Sequence, residues 1–138
     1  MNYRWKKQTH CFTTKGHSLL RMLSLEIAIA PIGDPVKKFT TKGIWDTGAT
    51  GTVITKEVFE ALNLKQTGIA NVCTASESMK PMPTCLIDVY LKPDVVVQGI
   101  EVTVGTISEE NGFHALIGMD IITLGDFSIT TFEGKTTL

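Results

Sequence analysis

Residues 44–54 read Ile-Trp-Asp-Thr-Gly-Ala-Thr-Gly-Thr-Val-Ile. A carboxylate, Asp46, stands between one apolar run and a glycine-rich turn, and a second apolar run follows. An isolated carboxylate carried on a strand into a barrel interior loses several kcal/mol of hydration or shifts its titration to stay neutral, so a chain that keeps one there usually has a use for it. Asp46 is therefore the residue expected to carry chemistry, and its setting is expected to be a strand end inside a barrel.

On either side of this stretch the hydrophobic period is mostly two. Leu23, Leu25, Ile27 and Ile29 alternate with Ser24, Glu26 and Ala28, which predicts a half-buried strand before a turn at Gly33-Asp34-Pro35. A second strand, Val36 to Trp45, delivers the chain to Asp46. After the turn, Thr52 to Ile54 reads as a short strand, and Thr55 is placed to cap a helix through Leu62, with Glu57 in its first turn and Val58, Phe59 and Leu62 inward. Further strands are expected near Ile69–Thr74, Cys85–Leu91 and Val95–Val104, with Gly99 marking a bulge or bend. A terminal strand is expected around Gly134-Lys135. Many short strands separated by Gly and Pro turns give an all-β fold, a small closed or nearly closed barrel with one or two short helices.

A second motif lies about seventy residues beyond Asp46: Ala115-Leu116-Ile117-Gly118, leading into a short helical pattern from Met119 to Leu124. Asp-Thr-Gly alone is a weak signal. Asp46-Thr47-Gly48-Ala49, then Thr52-Val53-Ile54, then Leu116-Ile117-Gly118, in this order and spacing, resembles the retropepsin-like aspartic peptidases, the single-lobed family that includes the retroviral proteases. The resemblance runs from about Leu23 to Phe132 and implies a retropepsin-like barrel.

The resemblance also implies an activity, hydrolysis of peptide bonds by water activated between two aspartates. Two-lobed relatives carry two such motifs on a chain more than twice as long, whereas these 138 residues hold one. The second aspartate must come from another chain, so a homodimer is expected, with Asp46 of each copy at the two-fold axis. By the same resemblance Thr47 locks the two active-site loops together, the carbonyl of Gly48 holds the substrate backbone, and Ala49 completes the loop. Trp45, Thr50, Thr74, Ala75 and Ile117 are candidate substrate contacts, Ala49 and Ile117 as apolar subsites. A hairpin flap is expected between Ile69 and Leu86, its tip near Ser76-Glu77-Ser78-Met79-Lys80. Taken without the second motif, Thr47 and Gly48 read simply as turn residues, and the flap as an ordinary surface hairpin. No cofactor and no metal are expected.

Two departures stand out. Retroviral members usually carry an acid at the position of Thr50 and an arginine at that of Met119, a pair that braces the dimer and helps hold substrate. Both charges are missing here, which points to a different brace and substrate preference.

Composition agrees with one compact domain: 43% apolar residues, 20% charged and a net charge of −1. Residues 1–20 read as a basic, flexible tail and 21–138 as a single domain. A peptide or protein substrate is the expected partner. Nucleic acid is not, since no large basic field is present. Nor is a membrane, because Leu19 to Ile32 is short and interrupted by Arg21 and Glu26. The basic start lacks the continuous apolar region of a secretory signal, and a transit peptide is a weaker reading than a solvated tail. Cys11, Cys73 and Cys85 give an odd count without paired spacing, which favours reduced thiols in a cytoplasmic protein over a disulfide framework. One alternative sets Cys73 and Cys85 facing each other across a hairpin; two small, half-buried side chains are the better reading. His10, Cys11, His17 and His114 lack zinc-ligand spacing.

Two rival functions remain. Asp46-Thr47-Gly48-Ala49-Thr50 also fits the Asp-x-Gly-x-Thr phosphate loop of sugar-kinase and actin-like ATPases, a fold that needs two α/β domains and a far longer chain. The other rival is a retropepsin-fold module that no longer cleaves and serves in dimerisation or peptide binding; the intact Asp-Thr-Gly argues against it.

Overall fold

The computed structural model describes residues 11–74, 77–107 and 112–138. The chain divides into two compact units, one spanning Arg21–Phe127 and the other combining the two chain ends.

In the larger unit seven strands and two helices follow in order: β1 (Ser24–Pro31), β2 (Phe39–Trp45), β3 (Val53–Thr55), α1 (Lys56–Ala61), β4 (Gln66–Thr74), β5 (Glu77–Lys92), β6 (Val95–Gly105), β7 (Phe113–Ile117) and α2 (Met119–Ile122). The lateral order β1-β2-β7-β3-β6-β5 closes on itself because β1 also pairs with β5, and β4 hangs outside on β5. The result is the expected all-β barrel with two short helices. Closure gives each of the six barrel strands a partner on both sides and leaves β4 as the edge strand.

The alternation of β1 works as its sequence implies. Leu25, Ile27 and Ile29 are buried and Glu26 is exposed. Ile29, Ile54, Ile87, Val89, Val102 and Ile117, contributed by five different strands, fill the core. Gly43 in β2 has a steric reason, since a Cβ there would stand 2.9 Å from the Cδ1 atoms of both Ile27 and Ile117. Two isoleucines meet where a side chain on β2 would separate them.

Gly99 marks a bulge. Ile87 pairs with Ile100 and Val89 with Val97, so Gln98 and Gly99 together oppose Asp88 alone. Gly99 takes φ of +63°, and its N–H donates to Asp88 Oδ1 at 2.8 Å. The other carboxylate oxygen accepts from Gly33 N–H at 3.4 Å, so buried Asp88 ties the bulge to the turn after β1.

Three expectations shift. β2 begins at Phe39 rather than Val36, because the chain is still turning through Gly33 (φ +71°) and Asp34 Oδ1 accepts from Lys37 N–H. β5 begins at Glu77, well before Cys85, and Lys80 pairs with Val72 and Pro83 with Ile69; Glu77 to Lys80 are strand, not tip. The turn of this hairpin, including Ala75 and Ser76, lies outside the described residues. Thr55 does sit at the N-cap of α1, with Val58 and Leu62 buried and Phe59 half-buried, yet its hydroxyl makes no cap bond. It lies 3.1 Å from His114 Nδ1 instead.

The smaller unit contains β8 (Thr130–Phe132) and β9 (Lys135–Thr137), joined by a two-residue turn in which Glu133 and Gly134 both have positive φ. That conformation suits the twist of a tight hairpin. Thr14 and Leu138 exchange backbone hydrogen bonds at 2.9 Å, Gly16 N–H donates to Thr136 O, and Thr136 N–H donates to Ser18 O. Residues 14–18 are thus paired along β9, and the hydroxyl of buried Thr136 accepts from Leu20 N–H at 3.0 Å. Among the described residues no helix is long and apolar enough to cross a membrane.

Candidate active site

β2 and β7 lie parallel, Ile44 opposite Leu116 and Trp45 opposite Ile117, so the two sequence motifs leave the barrel side by side. The ladder ends with Asp46 N–H donating to Ile117 O at 2.9 Å. Beyond it the chain turns: Ala49 N–H returns to Asp46 O at 3.2 Å, and the Asp46 carboxylate accepts from Gly48 N–H at 2.9 Å through Oδ1. An aspartate that bonds a backbone N–H two residues on is a standard turn former.

This corrects the expected setting of Asp46. It is half-buried just past the end of β2, not sealed in the barrel interior, because the turn carries its side chain back over the loop. Thr47, Gly48 and Thr50 are exposed, and Ala49 is half-buried.

The second motif supports the first from beneath. After β7 the chain passes through Gly118 into α2, and Met119 N–H donates to Ala49 O at 2.9 Å while Asp120 N–H donates to Thr50 O at 3.2 Å. The amides that open α2 thereby find partners in the Asp-Thr-Gly-Ala loop, which accounts for helix donors otherwise left open. A Cβ on Gly118 would lie 2.6 Å from Gly51 C and O and 3.0 Å from Ala49 O, all backbone atoms. Only glycine permits that approach.

Asp120 was not singled out in the sequence, and it ties the site together. Its Oδ2 accepts from Thr52 N–H at 2.8 Å, and its Oδ1 accepts from the Thr52 hydroxyl at 2.7 Å and from Ile121 N–H at 2.9 Å. The same Thr52 hydroxyl accepts from Gly118 N–H at 3.2 Å. Thr52 is 2% exposed, so these are charge-assisted bonds at a desolvated position. An acid in the first turn of a helix reads from sequence as a favourable dipole partner. The signal for more was the pairing of apolar-apolar-Gly-x-Asp with a threonine six residues after the motif aspartate.

The remaining candidates separate. Ile117 is fully buried, its Cδ1 beside Gly43 and Ile27, so its side chain belongs to the core and is not the expected apolar subsite; its carbonyl serves the loop. Trp45 is half-buried and packs on Phe127, ring centroids 4.9 Å apart, and its N–H donates to Leu23 O. Thr74 is exposed at the end of β4, and Ala75 lies outside the described residues. His114 sits between the Thr55 hydroxyl and Glu57 Oε2 at 3.4 Å, with its ring edge-on to Phe39. Cys73 is exposed and Cys85 is fully buried opposite Gln66, so the two do not face each other and are not matched half-buried side chains. Burial, and then the charge of Glu101, push the Cys85 thiol up to about 11. Among the described residues no three His, Cys, Asp or Glu side chains gather as a metal site.

Comparison with known proteins agrees with this geometry. The family described as "gag-polyprotein putative aspartyl protease" matches residues 36–123, the span from the entry to β2 through α2. A search of curated proteins returned no match. Among solved structures, a retropepsin-like aspartic protease from Rickettsia conorii superposes with a TM-score of 0.56 at 19% identity, covering 91% of this chain and 92% of that one. A foamy viral protease-reverse transcriptase, solved with an RNA/DNA hybrid, superposes with a TM-score of 0.52 at 22% identity over 80% of this chain, and the match spans 13% of that longer protein. At these identities the structural matches speak for the fold, while the sequence family covers the loop and its supports. The chain belongs to the gag-polyprotein aspartyl protease family and has the retropepsin-like fold.

Proposed function

We propose that the protein is an aspartic endopeptidase that works as a homodimer. The observation that carries this reading is the placement of Asp46: a half-buried carboxylate at the tip of a loop whose neighbours Thr47, Gly48 and Thr50 are exposed, on a base fixed by the Thr52, Gly118 and Asp120 bonds. Electrostatic catalysis needs a pre-organised group presented outward on a firm support.

In the dimer two Asp46 carboxylates meet within hydrogen-bond distance and share one proton, since two like charges so close cannot both form cheaply. The ionised partner takes a proton from a bound water as that water attacks the peptide carbonyl carbon. The protonated partner gives its proton to the carbonyl oxygen. Collapse of the resulting gem-diol, with proton transfer to the amide nitrogen, breaks the C–N bond and regenerates the pair. Thr47 links the two loops, Gly48 receives the peptide backbone, and Ala49, Thr50 and Thr74 border the bound chain. The β4–β5 hairpin closes over it as a flap.

The test is hydrolysis of a mixed peptide library between pH 3 and 8 by wild type and Asp46→Asn, with sedimentation of the same samples. Cleavage by the wild-type dimer, absent in Asp46→Asn and blocked by a hydroxyl-bearing peptide isostere, supports the proposal. Unchanged cleavage by the variant overturns the mechanism, and a stable dimer that cuts nothing transfers the case to a peptide-binding module.

A further inference from the structure

Trp45, the last residue of β2, stands one position before Asp46. Its N–H donates to Leu23 O at 2.9 Å, and its ring meets that of Phe127, in the segment that follows α2, with centroids 4.9 Å apart at 45°. Both rings are half-buried. Beside them in sequence, Met22 is 45% exposed and Leu124 is 67% exposed. The segments that meet at this strand end therefore leave apolar surface open on four large side chains. Their two charges, Arg21 next to Met22 and Asp126 next to Phe127, are exposed and of opposite sign.

A second copy of the chain is the occupant this placement selects. A two-fold axis that brings two Asp46 carboxylates within hydrogen-bond distance, about 3 Å, brings the partner within side-chain reach of Trp45 as well, since neighbouring α-carbons are about 3.8 Å apart. What such a contact covers here is apolar. The charged pair of retroviral members is missing at Thr50 and Met119, so the two copies need another means of holding together. Buried aromatic side chains are enriched at the centres of protein interfaces and dominate their energetics.

We propose that Trp45 and Phe127 form the centre of an apolar contact with a second copy of this chain, with Met22 and Leu124 at its margin, and that this contact braces the dimer in place of the charged pair. The contact rests on the homodimer reading and is independent of cleavage. Its physical signature is indifference to salt. At about 1 M salt, screening reaches down to about 3 Å and weakens a brace made of exposed charges, whereas the burial of apolar surface is retained.

The experiment uses the full chain carrying Trp5→Phe, which leaves Trp45 as the sole tryptophan. Sedimentation and tryptophan emission are recorded on the same dilution series at about 0.1 M and about 1 M sodium chloride. Trp45 emission should move to longer wavelength as the dimer dissociates, and the dissociation constant should change by less than about twofold between the two salt concentrations. Phe127→Glu should raise that constant at least about thirtyfold, and Phe127→Leu should keep it within about fivefold of the parent. The emission shift needs no substitution in the contact, so misfolding of a variant cannot imitate it. A dimer whose dissociation leaves Trp45 emission unmoved, or whose affinity falls about tenfold at the higher salt, overturns the contact and leaves the homodimer reading in place. A chain that stays monomeric at every concentration removes both. A dimer that covers Trp45 and cleaves no peptide keeps the contact and removes the endopeptidase reading.

Discussion

Thr52 and Asp120 are joined twice, backbone N–H to Oδ2 at 2.8 Å and hydroxyl to Oδ1 at 2.7 Å. The two bonds fasten the strand leaving the Asp-Thr-Gly loop to the helix that follows β7. Thr50 and Met119 lack the charges expected of a retroviral-type brace; the acid present here, Asp120, directly follows Met119 and bonds within its own chain.

Replacing Asp120 by alanine strands a buried amide and a buried hydroxyl at Thr52. The expected loss is about 3 kcal/mol of unfolding free energy. Asp120→Asn should cost about half as much, because the amide oxygen can still accept from Thr52 N–H while its NH2 forces the Thr52 hydroxyl to give up its own donation. Urea denaturation of both variants provides the comparison, and equal stability of Asp120→Ala and wild type would contradict the role assigned to this residue.

Gly118→Ala should be worse tolerated than its size suggests. The new Cβ meets backbone of Gly51 and Ala49 rather than a side chain that can swing away. A cost of about 3 kcal/mol or more is expected, together with displacement of the loop holding Asp46. Thermal denaturation measures the first, and amide chemical shifts at Thr47 and Gly48 report the second.

Cys85 gives stability a dependence on alkaline pH. Its folded-state value of about 11 lies above the ordinary 9.0, so the unfolded chain releases the thiol proton first. The contribution is fully present below pH 9 and is lost as pH rises toward 11. Unfolding free energy should therefore fall in that window more steeply than in Cys85→Ala, by up to about 1.4 kcal/mol per pH unit. Parallel denaturation curves at each pH test the difference in slope, which a constant cavity cost does not affect. In native protein near neutral pH, iodoacetamide should label exposed Cys11 and Cys73 and spare Cys85.

At the bulge, Asp88→Ala should destabilise by about 2 kcal/mol, since the N–H groups of Gly33 and Gly99 lose a charged acceptor that is 5% exposed. Gly99→Ala acts through backbone alone. With φ at +63° and open space around the site, it should cost about 1 kcal/mol from conformational strain. Chemical denaturation distinguishes the two, and a larger effect for Gly99→Ala would reverse the assignment.

Much of this architecture was legible along the chain. β1 announced itself through period two, Gly99 through its place in a valine-rich strand, and the two motifs through their order. β5 was underread because Pro81, Pro83 and the polar residues before them depress strand propensity, an intrinsic preference that pairing with β4 overrides. Thr55 sat where a capping threonine belongs, but a histidine fifty-nine residues away in sequence took the hydroxyl. The burial of Asp46 was overestimated because apolar neighbours in sequence describe the strands that approach a loop, not the loop itself. Asp120 stayed hidden for a related reason: its partner is sixty-eight residues distant, and no local pattern records that distance.

β5 is at once a barrel stave and one arm of a hairpin. From Thr84 onward it is gripped by β6, and from Ile87 to Tyr90 by β1 on its other edge; ahead of Thr84 its only ladder partner is β4. Thr84 and Cys85 are the root of the hairpin, each held by β4 on one edge and by β6 on the other. Seven residues, Glu77 to Pro83, about 23 Å of strand, extend beyond that root along β4. A substitution at Thr84 or Cys85 therefore strains barrel wall and hairpin arm together.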